Sequence, residues 1–130
     1  MPQTAHSPQH SASAPALALA IAGSEATGGA GAQADLKTFQ ELGVFGVVSL
    51  TCIVSFNPQD EWSHRFFPVP TAVLADQLEA VQADYAGRLR TVKLGMMGSP
   101  ETVRTTAEAL KRQEWDHVLL DPVLICKGQE

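Results

Sequence analysis

Leu17-Ala-Leu-Ala-Ile-Ala-Gly-Ser-Glu-Ala-Thr-Gly-Gly-Ala-Gly31 is an apolar run that breaks into a loop of small residues. Leu17, Leu19 and Ile21 read as a short buried strand, and Gly23-Ser24 supplies the turn that closes it. Beyond the glycines, Ala32, Leu36 and Phe39 recur at helical spacing, with Lys37, Gln40 and Glu41 facing elsewhere. Gly43 then gives a C-terminal stop, so the spacing predicts a helix from Ala32 to Leu42. A strand, a glycine loop and a helix in that order are the opening unit of an α/β domain.

The alternation continues along the chain. Val44 to Phe56 is rich in Val, Ile and Phe without a charge, as a central strand is. Trp62 to Val69, bounded by Pro58, Pro68 and Pro70, suits an edge strand or flap. Leu74, Leu78, Val81 and Tyr85 mark a second amphipathic helix. Thr91 to Leu94 is a third core strand, and Gly95 to Ser99 a loop. Ser99-Pro100 caps another helix, whose expected apolar stripe is Val103, Ala107 and Leu110. Val118 to Leu120 is the next strand, closed by Asp121-Pro122. Strands alternating with helices predict a parallel sheet with right-handed crossovers, in which ligands gather outside the carboxyl ends of the strands.

One compact domain fits 130 residues with 45% hydrophobic and 18% charged content. A net charge of −5 without a basic run disfavours a nucleic-acid partner. No apolar stretch reaches the roughly 20 residues needed to span a bilayer. Two cysteines form no disulfide framework, which places the expected compartment in the cytoplasm. Residues 1–15 hold four Ser or Thr, three Pro and two His but no charged residue, and read as a disordered leader before a domain over 16–130. Ala14 to Ala22 is not expected to serve as a signal-peptide core, because no positive residue precedes it and cleavage after it would cut into the glycine loop.

The glycine loop is neither a Walker motif, since Gly29 stands where Lys would hold phosphates, nor a dinucleotide fingerprint, which fails at Ala34. It is a ligand loop at a helix N-terminus or a tight structural turn. Asp35 shares a helix face with Phe39 and Leu42, so its carboxylate points inward to contact a ligand or to cap loop amides. Asp121, at a strand end, either holds Mg²⁺ through water or starts a turn. Cys126 beside Lys127 has the setting of a thiolate able to add to an aldehyde, whereas mid-strand Cys52 reads as core. Met96 and Met97 either floor a planar ring or pack. His64 is a polar flap contact or an exposed residue without a role.

Three motifs in order carry a resemblance. They are Ala22-Gly-Ser-Glu-Ala-Thr-Gly-Gly-Ala-Gly-Ala-Gln-Ala-Asp-Leu-Lys-Thr-Phe39, Val92-Lys-Leu-Gly-Met-Met-Gly-Ser99 and Leu120-Asp-Pro-Val-Leu-Ile-Cys-Lys-Gly128. From about Leu17 to the last residue, the chain resembles the hydroxymethylpyrimidine kinase and pyridoxal kinase group of the ribokinase superfamily. The resemblance implies the N-terminal half of a ribokinase-like three-layer α/β sandwich with a mostly parallel sheet. It also implies ATP, Mg²⁺ and a monovalent cation such as K⁺, phosphorylation of a hydroxymethyl group on a small aromatic heterocycle, and a homodimer for the complete protein. No membrane partner is implied.

Carried over position by position, the substrate pocket comprises Ser24, Glu25, Asp35, Phe56, His64, Met96, Val123 and Cys126. Asp121 and Lys127 fall on the nucleotide side, with Asp121 at Mg²⁺. Trp62-Ser63-His64 and Cys126-Lys127-Gly128 resemble the pyridoxal kinases related to the thiamine-pathway enzyme. Phe56 stands where pyrimidine kinases usually place Gln; it packs against a pyridine but makes no amide pairing. Glu25 departs from the family's usual Asp. Cys126 is expected to capture the pyridoxal aldehyde as a reversible hemithioacetal. The family's anion hole, catalytic base and most of its ATP site are expected beyond Glu130, so activity of this chain alone is doubtful on these grounds. The readings are a pyridoxal or pyridoxine kinase, a hydroxymethylpyrimidine or phosphomethylpyrimidine kinase, and a non-enzymatic binder of B6 vitamers.

Overall fold

The computed structural model describes residues 14–123. Its elements run β1 (Leu17–Glu25), α1 (Gly31–Glu41), β2 (Phe45–Asn57), β3 (Ser63–Pro68), α2 (Thr71–Asp84), β4 (Thr91–Leu94), α3 (Pro100–Leu110) and β5 (His117–Leu120). The five strands form one sheet in the order β3-β2-β1-β4-β5. β1 pairs in parallel with β2 and β4, and β4 with β5, while β3 is antiparallel to β2. The expected α/β architecture with a mostly parallel sheet is therefore present, with the Trp62 to Val69 segment as its antiparallel edge strand.

β1 is central because its two faces are both apolar but of different size. Leu17, Leu19 and Ile21 alternate with Ala18, Ala20 and Ala22, and all six are buried. The large face packs with Leu74 and Leu78 of α2, with Leu89 and Val92, and with Ala109 of α3, forming the main core. Helix α1 lies close on the small face, where Ala18 pairs with Gly46. A Cβ at Gly46 would stand 2.7 Å from Phe39 and 2.8 Å from Leu36, so a side chain there would lift the helix away. Crossovers that run in opposite directions along the strand order put α1 on one face and α2 with α3 on the other.

Helix α3 begins as expected, with the Ser99 hydroxyl accepting the Thr102 amide at 3.1 Å and Pro100 in the first turn. Of the expected stripe, Leu110 packs against the core and the other two positions do not. Thr102, Thr106 and Ala109 are buried, while Val103 is 51% exposed and Ala107 is exposed. The threonines tolerate burial because their hydroxyls are satisfied locally, Thr102 near Ser99 Oγ and Thr106 on Met97 Sδ. Leu42, expected to face inward with Asp35, is instead 73% exposed, since α1 ends at Glu41 before that turn reaches the sheet. All four residues of β5 are exposed at the sheet's edge. No described helix is long and apolar enough to cross a membrane.

Candidate functional site

Strand order reverses at β1, because the chain moves from β1 to β2 on one side and later to β4 on the other. A crevice opens at the carboxyl ends of strands where such a reversal occurs. A cavity of about 410 Å³ lies there, lined by the Gly23 to Gly31 loop, Val54 and Phe56 of β2, His64 of β3, Lys93 and Met96 at β4, and Asp121 and Val123 after β5. A second cavity of about 530 Å³ adjoins it, sharing His64, Met96, Asp121 and Val123. Ser24, Glu25, Phe56, His64, Met96, Val123 and Asp121 are thus brought together. Asp35 sits behind the wall, and Cys126 and Lys127 lie outside the described residues, as does most of the expected leader.

The loop holds its shape through Glu25. Its carboxylate accepts the Thr27 amide at 2.7 Å, the Thr27 hydroxyl at 2.8 Å and the Gly29 amide at 2.9 Å. Burial acts to raise the Glu25 pKa, but the bonds from Thr27, Gly29 and Ala30 outweigh it and hold the carboxyl below its ordinary value. It is Glu25, not Asp35, that caps the loop amides. The amides of Thr27 and Gly29 are consequently filled from within the loop. Gly31 is required by geometry: its φ is +61°, and a Cβ would run into the Gly23 carbonyl oxygen.

Helix α1 clips the loop from the other side. Gln33 donates to Ser24 Oγ at 2.7 Å and accepts the Glu25 amide at 2.9 Å, while Lys37 donates to the Gly28 carbonyl at 2.9 Å. Asp35 turns toward β4, where Lys93 Nζ donates to Oδ1 at 2.8 Å and Oδ2 at 3.0 Å. Asp121 Oδ2 stands 3.4 Å from the same nitrogen. Sequence reasoning missed Lys93 and Gln33. The available signal was a lysine inside a four-residue core strand, a position that demands a buried counter-charge.

The floor and wall come from strand irregularity and cross-strand pairing. Between Ala22 and Ser24 the β1–β2 register shifts, so β2 carries an extra residue around Thr51 and Cys52. Thr51 Oγ1 donates to the Met96 carbonyl at 2.6 Å, tying β2 to the loop after β4. Cys52 is buried, with its Sγ 3.8 Å from Met96 Sδ beneath the cavity. Phe56 and His64 are directly paired across β2 and β3, with ring centroids 4.8 Å apart at 65°. Edge-on packing of this kind leaves a flat aromatic surface for a third ring.

Among the described residues no group of three or more His, Cys, Asp or Glu gathers into a metal site. Asp121, 54% exposed, is a single carboxylate beside an ammonium. Mg²⁺ is commonly held through one or two carboxylates together with phosphate oxygens and water. Asp121 fits that mode jointly with a nucleotide and no other.

Fold and cavity define an α/β unit whose candidate site lies at the strand-order reversal. Residues 25–130 match the family model described as phosphomethylpyrimidine kinase, and the chain belongs to that family of phosphotransferases. It is 42% identical over 111 residues to a pyridoxine kinase of Bacillus subtilis, covering 85% of this chain and 40% of that relative. A hydroxymethylpyrimidine/phosphomethylpyrimidine kinase of Haemophilus influenzae is 41% identical over 110 residues, covering 85% and 39%. The pyridoxal kinase of Staphylococcus aureus, solved with AMP-PCP and pyridoxal, superposes with a TM-score of 0.78 at 38% identity, covering 88% of this chain and 41% of that one. The chain thus spans about two-fifths of the length of the relatives it matches, and the fold is that of ribokinase-like kinases.

Proposed function

We propose that this chain supplies the acceptor-binding side of an ATP-dependent kinase that phosphorylates the hydroxymethyl group of pyridoxal or pyridoxine. The observation that carries the reading is the Phe56–His64 pair on the cavity wall, with Met96 and Val123 beside it. An apolar aromatic wall binds a pyridine by stacking and edge contacts, whereas an aminopyrimidine needs amide pairing that Phe56 lacks. Ser24, held by Gln33, offers a hydroxyl to the ring's polar edge. Capture of the pyridoxal aldehyde is assigned to Cys126, and the nucleotide side to Asp121 and Lys127.

When bound, Mg²⁺ with ATP supplies the transferred phosphoryl group and its charge neutralisation. Asp121 would hold the ion through water. The residues of this chain bind and orient the acceptor, and exclude water from it.

The test is calorimetric titration of the chain with pyridoxal, pyridoxine and hydroxymethylpyrimidine, alongside phosphate transfer from Mg-ATP. Binding of the B6 vitamers in preference to the pyrimidine is expected, without turnover. Preference for hydroxymethylpyrimidine would transfer the assignment to the thiamine-pathway reading, with which the 41% identity to the Haemophilus influenzae relative is also compatible. Binding of none of the three overturns the proposal.

A further inference from the structure

We propose that Gln33 is a positioning residue of the acceptor site: it fixes the Ser24 hydroxyl as a donor toward the cavity, where an unprotonated nitrogen of the heteroaromatic ring receives it. The inference rests on the acceptor-binding reading above and adds the polarity of one contact. Gln33 bridges two neighbouring groups of the loop, accepting the Glu25 amide at 2.9 Å and donating to Ser24 Oγ at 2.7 Å. A backbone amide only donates, so the side-chain oxygen of Gln33 must face it and the NH₂ must face Ser24. The Ser24 oxygen therefore accepts from Gln33, and its own proton is left over. That proton has no acceptor among the described residues, and Ser24 lines the main cavity.

The main chain beside it has nothing comparable to offer. The amides of Thr27, Gly29 and Ala30 go to the Glu25 carboxylate, that of Ala26 to the Val54 carbonyl and that of Gly28 to the Glu25 carbonyl. With the Glu25 amide on Gln33, every main-chain N–H from Glu25 to Ala30 is engaged within the protein, and the Ser24 O–H is the donor left for a ligand. A ligand hydroxyl can turn to meet a donor or an acceptor, and gains little from a partner of fixed polarity. A ring nitrogen cannot turn: its lone pair lies in the ring plane and only accepts. Pyridines and pyrimidines both carry such a nitrogen, so the contact holds the acceptor in register without choosing between the two classes.

The experiment titrates pyridoxine and its carbocyclic analogue, in which C–H replaces the ring nitrogen, into the full chain by calorimetry at a pH where that nitrogen is unprotonated. Wild type is expected to bind pyridoxine roughly threefold to tenfold more tightly than the analogue, the range of a neutral hydrogen bond. Ser24→Ala is expected to lose that preference. In Gln33→Glu a carboxylate still accepts the Glu25 amide but takes the Ser24 proton instead of donating to the oxygen, so the hydroxyl turns from the cavity and the preference is again lost. A purely structural role for Gln33 would weaken both compounds alike and leave their ratio intact. Equal binding of the two by wild type, or a preference that survives in Ser24→Ala, overturns the donor role of Ser24. A preference that survives in Gln33→Glu overturns the positioning role of Gln33. The wild-type comparison and Ser24→Ala stand even if Gln33→Glu fails to fold. Binding of neither compound by wild type overturns the acceptor-binding reading itself and the inference with it.

Discussion

Lys93 Nζ lies 2.8 Å from Asp35 Oδ1 and 3.0 Å from Oδ2, so a largely buried ion pair, 17% and 14% exposed, joins helix α1 to strand β4 beneath the cavity. Removing one partner of such a pair leaves an uncompensated charge out of water. Lys93→Met alone is expected to destabilise the chain by about 3–5 kcal/mol, whereas removing Asp35 as well costs clearly less. Urea unfolding of wild type, the single and the double variant measures both. A single variant as stable as wild type would show that the pair is solvated.

Gly23 stands against a sulfur. A Cβ at this position would lie 2.6 Å from Cys52 Sγ, so Gly23→Ala is expected to cost about 1–3 kcal/mol by overpacking. Cys52→Ala removes the sulfur and should recover part of that cost in the double variant. Strict additivity in the cycle would place the strain elsewhere.

Ser49 is buried, and its hydroxyl has no hydrogen-bond partner among the described residues. Ser49→Ala is expected to leave stability unchanged or raise it by up to about 1 kcal/mol, because an unsatisfied polar group is removed without opening a cavity of any size. A loss above that amount in chemical denaturation would mean the hydroxyl has a partner after all.

The Glu25 carboxyl is held below its ordinary value of 4.5, because the loop's hydrogen bonds outweigh its burial. A depressed pKa stabilises the folded state above the unfolded value and ceases to do so as pH falls through the folded one. Glu25→Gln should therefore destabilise the chain at pH 7, and the gap to wild type should shrink as pH falls below 4.5. Denaturation midpoints across that range check the sign, which a widening gap would reverse.

Phe56→Gln replaces a ring by an amide on the cavity wall. The expected outcome is weaker pyridoxine binding and stronger hydroxymethylpyrimidine binding, a reversal in rank read by calorimetry. An unchanged order would remove Phe56 from acceptor choice.

Much of this architecture was legible in the residues themselves. The alternating large and small apolar residues from Leu17 to Ala22 specify a strand buried on both faces, and the glycines that follow fit the loop. The cap at Ser99-Pro100 and the helix over Leu74, Leu78 and Val81 follow from local spacing and hydrogen bonding alone. Local signals of this kind are short-range and do not depend on which element packs where. The threonine face of α3 was not legible, because polar side chains become burial-tolerant only when a neighbouring loop satisfies their hydroxyls.

The site divides in the same way. Sequence by itself determined that Ser24, Glu25, Phe56, Met96 and Asp121 sit at strand ends or beside them, since each follows or closes an apolar run. Tertiary structure alone decided which carboxylate serves the loop and which pairs with strand β4. Glu25 and Asp35 are only ten positions apart, yet one turns back to its own amides and the other reaches Lys93, separated from it by 58 residues. A charge's role depends on the partner that stands within about 3 Å of it, and that partner is set by the pairing of β1 with β4.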